Sequence, residues 1–79
     1  MFYTYVLETI AEPKHYYVGS TEELVVRLAD HNAGRSPHTS KHRPWKVVWY
    51  AAFSTRAKAE MFERYLKTAS GRAFQKKHL

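Results

Sequence analysis

Residues 2–8, Phe-Tyr-Thr-Tyr-Val-Leu-Glu, followed by 15–18, His-Tyr-Tyr-Val, decide the fold. The first run is β-branched and aromatic and reads as a strand. Alternation puts Tyr3, Tyr5 and Leu7 on one face and Phe2, Thr4 and Val6 on the other. Neither face is polar, so both sides of this strand are expected to be covered. Residues 9–14 contain Glu12-Pro13 and read as a loop. The second run is a short strand, 15–18, and Gly19 ends it. So short a connection predicts an antiparallel hairpin.

Outward from the hairpin, Ser20-Thr21-Glu22-Glu23 fits a capping box, with Ser20 as N-cap and Glu23 three residues on. A helix then runs through Leu24, Val25 and Leu28 and stops at Asn32-Ala33-Gly34. Residues 35–44, RSPHTSKHRP, form a polar, basic loop with two prolines. Residues 45–53, WKVVWYAAF, are the third and most apolar strand. Ser54-Thr55 caps a second long helix. On it Phe62, Tyr65, Leu66 and Ala69 form an i, i+3, i+4, i+7 stripe that should face the sheet. Ser70-Gly71 breaks it, and a short basic helix over 72–79 follows. The order is β-β-α-β-α with a final helical piece, an α/β (α+β) pattern.

With 79 residues the chain is expected to be a single domain, 1–79. It has no cysteine, which excludes disulfides, cysteine-ligated zinc and a thiol nucleophile. No apolar run approaches a membrane span. The N-terminus lacks a basic leader and a small-residue cleavage site, so a soluble cytoplasmic protein is expected. Charge is more informative. The net charge is +6, and it is lopsided. Residues 1–40 carry three basic against five acidic side chains, and residues 41–79 carry ten against two. A basic half of this kind suits a polyanion, and equally a plain soluble surface.

Four constellations can carry chemistry. Tyr5 and Tyr17 lie on adjacent strands, within about 8 Å across a hairpin. They are either packing residues or, beside a cation, proton-transfer groups. Arg27 and His31 are i, i+4 on one helix face. Arg27 suits a phosphate through its planar fork, while the plainer reading is a Glu23–Arg27 surface pair. Glu63 is a carboxylate on a basic helix, a candidate ligand for a hard divalent cation, or simply an i, i+4 partner of Lys67. The loop 38–43, with Lys41, His42 and Arg43, joins Lys46 in offering cations and hydroxyls for phosphates. No phosphate-binding glycine loop, dinucleotide fingerprint or nucleophilic serine elbow occurs.

Taken in order, the groups are Tyr3-Thr4-Tyr5, Tyr17-Val18-Gly19, Leu24-x-x-Arg27-x-x-x-His31-Asn32 and Glu63-x-x-x-Lys67. Together with Thr39-Ser40-Lys41-His42-Arg43-Pro44-Trp45 and the run 65–74, they resemble the GIY-YIG endonuclease family, in particular its small single-domain bacterial members. The similarity spans essentially the whole chain. It departs at Tyr3 and Thr4, which replace the Gly and Ile of the first motif. The resemblance implies a three-stranded antiparallel sheet flanked by helices, and metal-dependent phosphodiester hydrolysis. It implies Tyr5, Tyr17, Arg27, His31 and Glu63 as catalytic residues, with Glu63 holding one Mg²⁺ or Mn²⁺. Arg27 would neutralise charge on the phosphoryl oxygens, and either Tyr17 or Tyr5 would act as general base, directly or through His31. Lys41, His42, Arg43, Lys46, Lys67 and Arg72 are the side chains expected against nucleic-acid phosphates. Larger members carry a separate DNA-reading domain. This chain is therefore expected to select DNA structure rather than sequence, in repair or recombination, or to rely on a protein partner.

Two other readings compete. A non-catalytic nucleic-acid-binding module would use the basic half with Trp45, Trp49 and the tyrosines, and would have no need of Glu63. A protein-interaction adaptor would use the Trp and Tyr side chains as interface anchors, with little salt dependence.

Overall fold

The computed structural model describes residues 1–68 together with Gly71 and Lys76. The expected helix over 72–79, with Ala69 and Ser70, lies outside the described residues. The elements are β1 (Phe2–Thr9), β2 (Tyr16–Thr21), α1 (Leu24–Asn32), β3 (Trp45–Phe53) and α2 (Arg56–Leu66). The strands form one antiparallel sheet in the order β2-β1-β3. β1 is central, and its two apolar faces feed two cores. On one face Tyr5, Leu7 and Trp45 pack with Tyr17, Val47 and the α1 residues Leu24 and Leu28. On the other, Val6 and Val18 pack with Trp49 and the α2 residues Phe62 and Leu66. Each fully buried Leu or Val side chain contributes about 1.5–3 kcal/mol.

Several local expectations change on contact with the rest of the chain. β2 runs on to Thr21, and Gly19 lies inside it, directly opposite Tyr5. A Cβ at Gly19 would sit 2.6 Å from Tyr5 Oη, 2.8 Å from its Cζ and 3.0 Å from Tyr17 Cε2. The glycine is a slot for an aromatic ring, not a strand terminator. The capping box does not form. Ser20 is a β2 residue paired with Thr4, and its hydroxyl donates to Glu63 Oε1 at 2.6 Å. Glu23 is the N-cap of α1 without a side-chain cap, and its N–H donates to Thr21 Oγ1 at 3.1 Å.

The far end of α1 stops where expected, with Gly34 at φ +80°, a conformation that disfavours any Cβ. The Arg43 guanidinium covers the bare face of that glycine. Asn32 grips the start of β3 with both side-chain atoms. Its Oδ1 accepts from Trp45 N–H at 2.6 Å, and its Nδ2 donates to Trp45 O at 3.1 Å. β3 carries a bulge: Val6 pairs with Trp49 and Leu7 with Val47, leaving Val48 surplus. Trp45 and Val47 therefore join the α1 core while Trp49 joins the α2 core. Thr55 caps α2 as expected, its Oγ1 accepting from Lys58 N–H at 3.2 Å. The apolar stripe is narrower than its spacing suggested, for Leu66 is buried but Tyr65 is exposed. Thr4 Oγ1 ties sheet to helix by donating to Ala59 O at 2.6 Å.

Candidate functional site

The tyrosines are brought together by register. Tyr5 faces Gly19 and Leu7 faces Tyr17, so Tyr17 is the diagonal neighbour of Tyr5 on the α1 face. Their ring centroids are 6.4 Å apart. α1 lays His31 against both, at 5.9 Å from the Tyr5 ring and 5.1 Å from the Tyr17 ring. His31 is fully buried, with Nε2 2.9 Å from Tyr5 Oη and Nδ1 2.6 Å from Thr39 Oγ1. Burial and the Arg27 charge hold the imidazole below its ordinary pKa despite Asp30, so it is neutral at pH 7.

Tyr5 is buried, and that desolvation pushes its phenol up to about 12 against the pull of Arg27. Tyr17 is only half-buried, and its hydroxyl takes no hydrogen-bond partner among the described residues. Arg27 is half-buried one turn before His31, and no Glu23–Arg27 ion pair occurs among the described residues. Its charge acts on both Tyr5 and His31. Tyr5, Tyr17, Arg27 and His31 thus form one cluster: a fixed cation beside two phenols and a neutral imidazole.

Glu63 approaches from the other face. It sits on α2, and Ser20, next to the bare Gly19 on edge strand β2, holds its Oε1. Lys67 Nζ donates to Oε2 at 2.9 Å, so the plain i, i+4 pair is present as well. Glu63 charge still reaches across β2 and raises the Tyr5 pKa, as the least of its influences. Each carboxylate oxygen keeps a second lone-pair direction. Among the described residues no group of three or more His, Cys, Asp or Glu side chains can enclose a metal. A hard divalent ion that keeps its waters and takes one carboxylate plus a phosphate fits this donor set; an all-protein cage does not.

The expected phosphate-contacting side chains are more scattered. Lys41 and Arg43 are exposed, and they rim a cavity of about 200 Å³ between the 35–44 loop and the β1–β2 connection. His42 stacks on His15 with centroids 3.9 Å apart, and burial with the neighbouring His15 and Lys41 holds its pKa down. Lys46 pairs with Glu8 at 3.4 Å. The Tyr16 hydroxyl, which donates at 2.7 Å, is the chief cause that holds the Glu8 carboxyl below its ordinary pKa. Lys67 sits on Glu63, and Arg72 lies outside the described residues. Two site residues went unread in the sequence. Ser20 looked like a helix cap, and Thr39 like a loop hydroxyl open to phosphate. The partner of each lies across the fold, and no local pattern announces it.

The family model described as the GIY-YIG catalytic domain matches residues 1–78. A UPF0213 protein of Listeria monocytogenes is 41% identical over 56 residues, covering 70% of this chain and 63% of that protein. A UPF0213 protein of Streptococcus pyogenes is 35% identical over 72 residues, covering 90% of this chain and 76% of that protein. A homologue of structure-specific endonuclease subunit SLX1 from Giardia intestinalis is 37% identical over 65 residues, covering 77% of this chain and 18% of that protein. The chain thus spans less than two thirds of the Listeria protein and a small part of the Giardia one. No solved structure is significantly similar to it.

Proposed function

Because the chain belongs to the GIY-YIG family, we propose that it is an endonuclease that hydrolyses DNA phosphodiester bonds with the help of Mg²⁺ or Mn²⁺. The observation that carries this reading is the gathering of Tyr5, Tyr17, Arg27 and His31 on one sheet face, with Glu63 anchored by Ser20 at the adjoining edge.

The roles follow from the surroundings of each group. Arg27 neutralises charge that builds on the non-bridging phosphoryl oxygens. Tyr17, half-buried and with its hydroxyl free, takes the proton of the attacking water once its own proton has passed to solvent. Tyr5 is a poor base, since burial pushes its phenol up to about 12. Neutral His31 holds Tyr5 in place through the 2.9 Å contact. Glu63 would hold the metal ion, which when bound supplies positive charge to the scissile phosphate and the leaving oxygen. The products are a 3′-hydroxyl and a 5′-phosphate.

The likeness to a structure-specific endonuclease subunit supports branched, flapped or nicked DNA as the substrate class, in repair or recombination, with a protein partner helping to choose the site. Lys41 and Arg43 supply exposed cations for the flanking phosphates. The test is cleavage of labelled single-stranded, duplex, flap and branched DNAs with Mg²⁺, with Mn²⁺ and with chelator. Glu63→Gln, purified identically, is the control. Metal-dependent cutting that vanishes in Glu63→Gln is expected. Equal cutting by the variant refutes the role of Glu63, and salt-sensitive binding without cutting on any substrate favours a binding module.

A further inference from the structure

Among the described residues the exposed aromatic side chains are Tyr16, Tyr50 and Tyr65. Trp45 and Trp49, the large rings that the sequence offered for base stacking, pack into the two cores instead. Tyr16 alternates with Tyr17 and so leaves the α1 face, and its hydroxyl is held by the Glu8 carboxylate. Tyr65 belongs to α2, behind the sheet, with its ring centroid 5.6 Å from that of Phe62. Of the three, only Tyr50 shares a sheet face with the Tyr5 cluster. It pairs directly with Tyr5, and cross-strand partners project from the same face.

Tyr50 is 56% exposed, and one ring already supports it. Tyr3 is its diagonal neighbour and one of the two residues that depart from the first motif. The two rings meet edge to face, with centroids 6.0 Å apart and planes at 65°. Tyr50 also lines a groove of about 420 Å³ between Leu24, Val25 and Leu28 of α1 and residues 47–50 of β3. Among the described residues no charged side chain lines this groove. A chain of net charge +6 draws a polyanion to itself. The uncharged groove then suits the part of a polynucleotide that carries no charge, its base. Leu24, on the groove wall, and Arg27 lie in the same first turn of α1. The groove and the phosphate that Arg27 serves are thus separated by about the width of a helix, about 10 Å, or about three stacked nucleotide steps.

We propose that Tyr50, buttressed by Tyr3, is a stacking platform for an unpaired nucleobase of the substrate, and that this platform favours flapped or single-stranded DNA over blunt duplex. The inference rests on the nuclease reading and names the feature of the DNA that is recognised. A base inside a duplex has neighbours on both faces and offers none to Tyr50, whereas an unpaired base offers its faces freely. Stacking accepts every base, so the platform selects structure and not sequence.

The test is binding of labelled single-stranded, flap and blunt duplex DNAs in chelator by the parent, Tyr50→Ala and Tyr50→Trp. Tyr50→Ala should lose about tenfold in affinity for the single-stranded and flap DNAs, and at most about twofold for the duplex. Tyr50→Trp, which keeps a ring face, should bind within about twofold of the parent. Plots of log affinity against log salt should keep their slope in both variants, since no phosphate contact is lost. A fluorescent purine analogue in the unpaired segment should be quenched by the parent and not by Tyr50→Ala. An equal loss on all three DNAs, or no loss on any, overturns the proposal. So does an analogue that the parent leaves unquenched, or a Tyr50→Trp protein as weak as Tyr50→Ala. A parent that binds none of the DNAs overturns the platform and the nuclease reading together. Cleavage of the same DNAs with Mg²⁺ or Mn²⁺ separates the two. Cutting without any Tyr50 dependence of affinity refutes the platform alone, and Tyr50-dependent binding without cutting refutes the nuclease alone.

Discussion

Replacing Gly19 by Ala tests the packing that places Tyr5. The added Cβ would lie 2.6 Å from Tyr5 Oη and 2.8 Å from Cζ, well inside contact distance. Tyr5 has no room to yield, being buried and bonded to His31 at 2.9 Å. Overpacking of this kind costs about 1–3 kcal/mol. Displacing the ring also forfeits the Tyr5–His31 hydrogen bond, about 1 kcal/mol. The expected destabilisation is about 2–4 kcal/mol, which for a domain of this size lowers Tm by roughly 10 °C or more. Urea denaturation followed by tyrosine near-ultraviolet circular dichroism measures it, with cleavage of the preferred DNA alongside. In a Tyr5→Phe background the nearest atom is gone while Cζ remains. The glycine substitution should then cost about 1 kcal/mol less, a coupling that a double-mutant cycle reads directly. A Gly19→Ala protein within 0.5 kcal/mol of its parent, with unchanged cleavage, would refute the argument that the slot exists to seat the ring.

Three further expectations concern other contacts. Ser20→Ala removes the hydrogen bond that orients Glu63, so the Mn²⁺ concentration for half-maximal cleavage should rise about tenfold or more; a titration with no shift contradicts the orienting role. The Tyr5 phenol, raised to about 12 in the fold against about 10 unfolded, keeps its proton while the unfolded chain loses it. Stability should therefore fall by about 2–3 kcal/mol between pH 10 and 12, with a smaller loss in Tyr5→Phe when both are denatured in urea across that window. Asn32→Ala leaves the Trp45 backbone groups without their side-chain partner and should cost about 2 kcal/mol in the same experiment, without changing which metal supports cleavage.

The sequence made the main elements legible where local chemistry and tertiary role agree. β1, β3 and the start of α2 follow from β-branched and aromatic runs and from the Thr55 cap, with ends within a residue of the pattern, whereas α2 ends at Leu66, short of the Ala69 that the stripe included. Gly19 and Ser20 misled for the same physical reason. Glycine is ordinary punctuation, and Ser-x-x-Glu is an ordinary cap, yet both are conscripted by groups far along the chain. Tyr5 needs the space at Gly19, and Glu63, 43 positions from Ser20, takes its hydroxyl. The cluster on the α1 face was expected through the family likeness, since residue spacing alone left Arg27 as readily paired with Glu23. Thr39 stayed hidden because its burial depends on how the 35–44 loop folds under Trp45, which no periodicity encodes.

The bulge in β3 also bears on how the length of this chain can change. Trp45, Val47 and Trp49 are all odd-numbered, yet the first two belong to one core and the third to the other, because Val48 has no opposite residue on β1. A strand one residue shorter at that point would pair regularly with β1 and still send every side chain to the face it now occupies. Loss of Lys46 instead would carry Trp45 to the wrong side of the sheet. Val48 is therefore a position where a deletion is silent to the fold. Natural variation in the length of this strand should concentrate there.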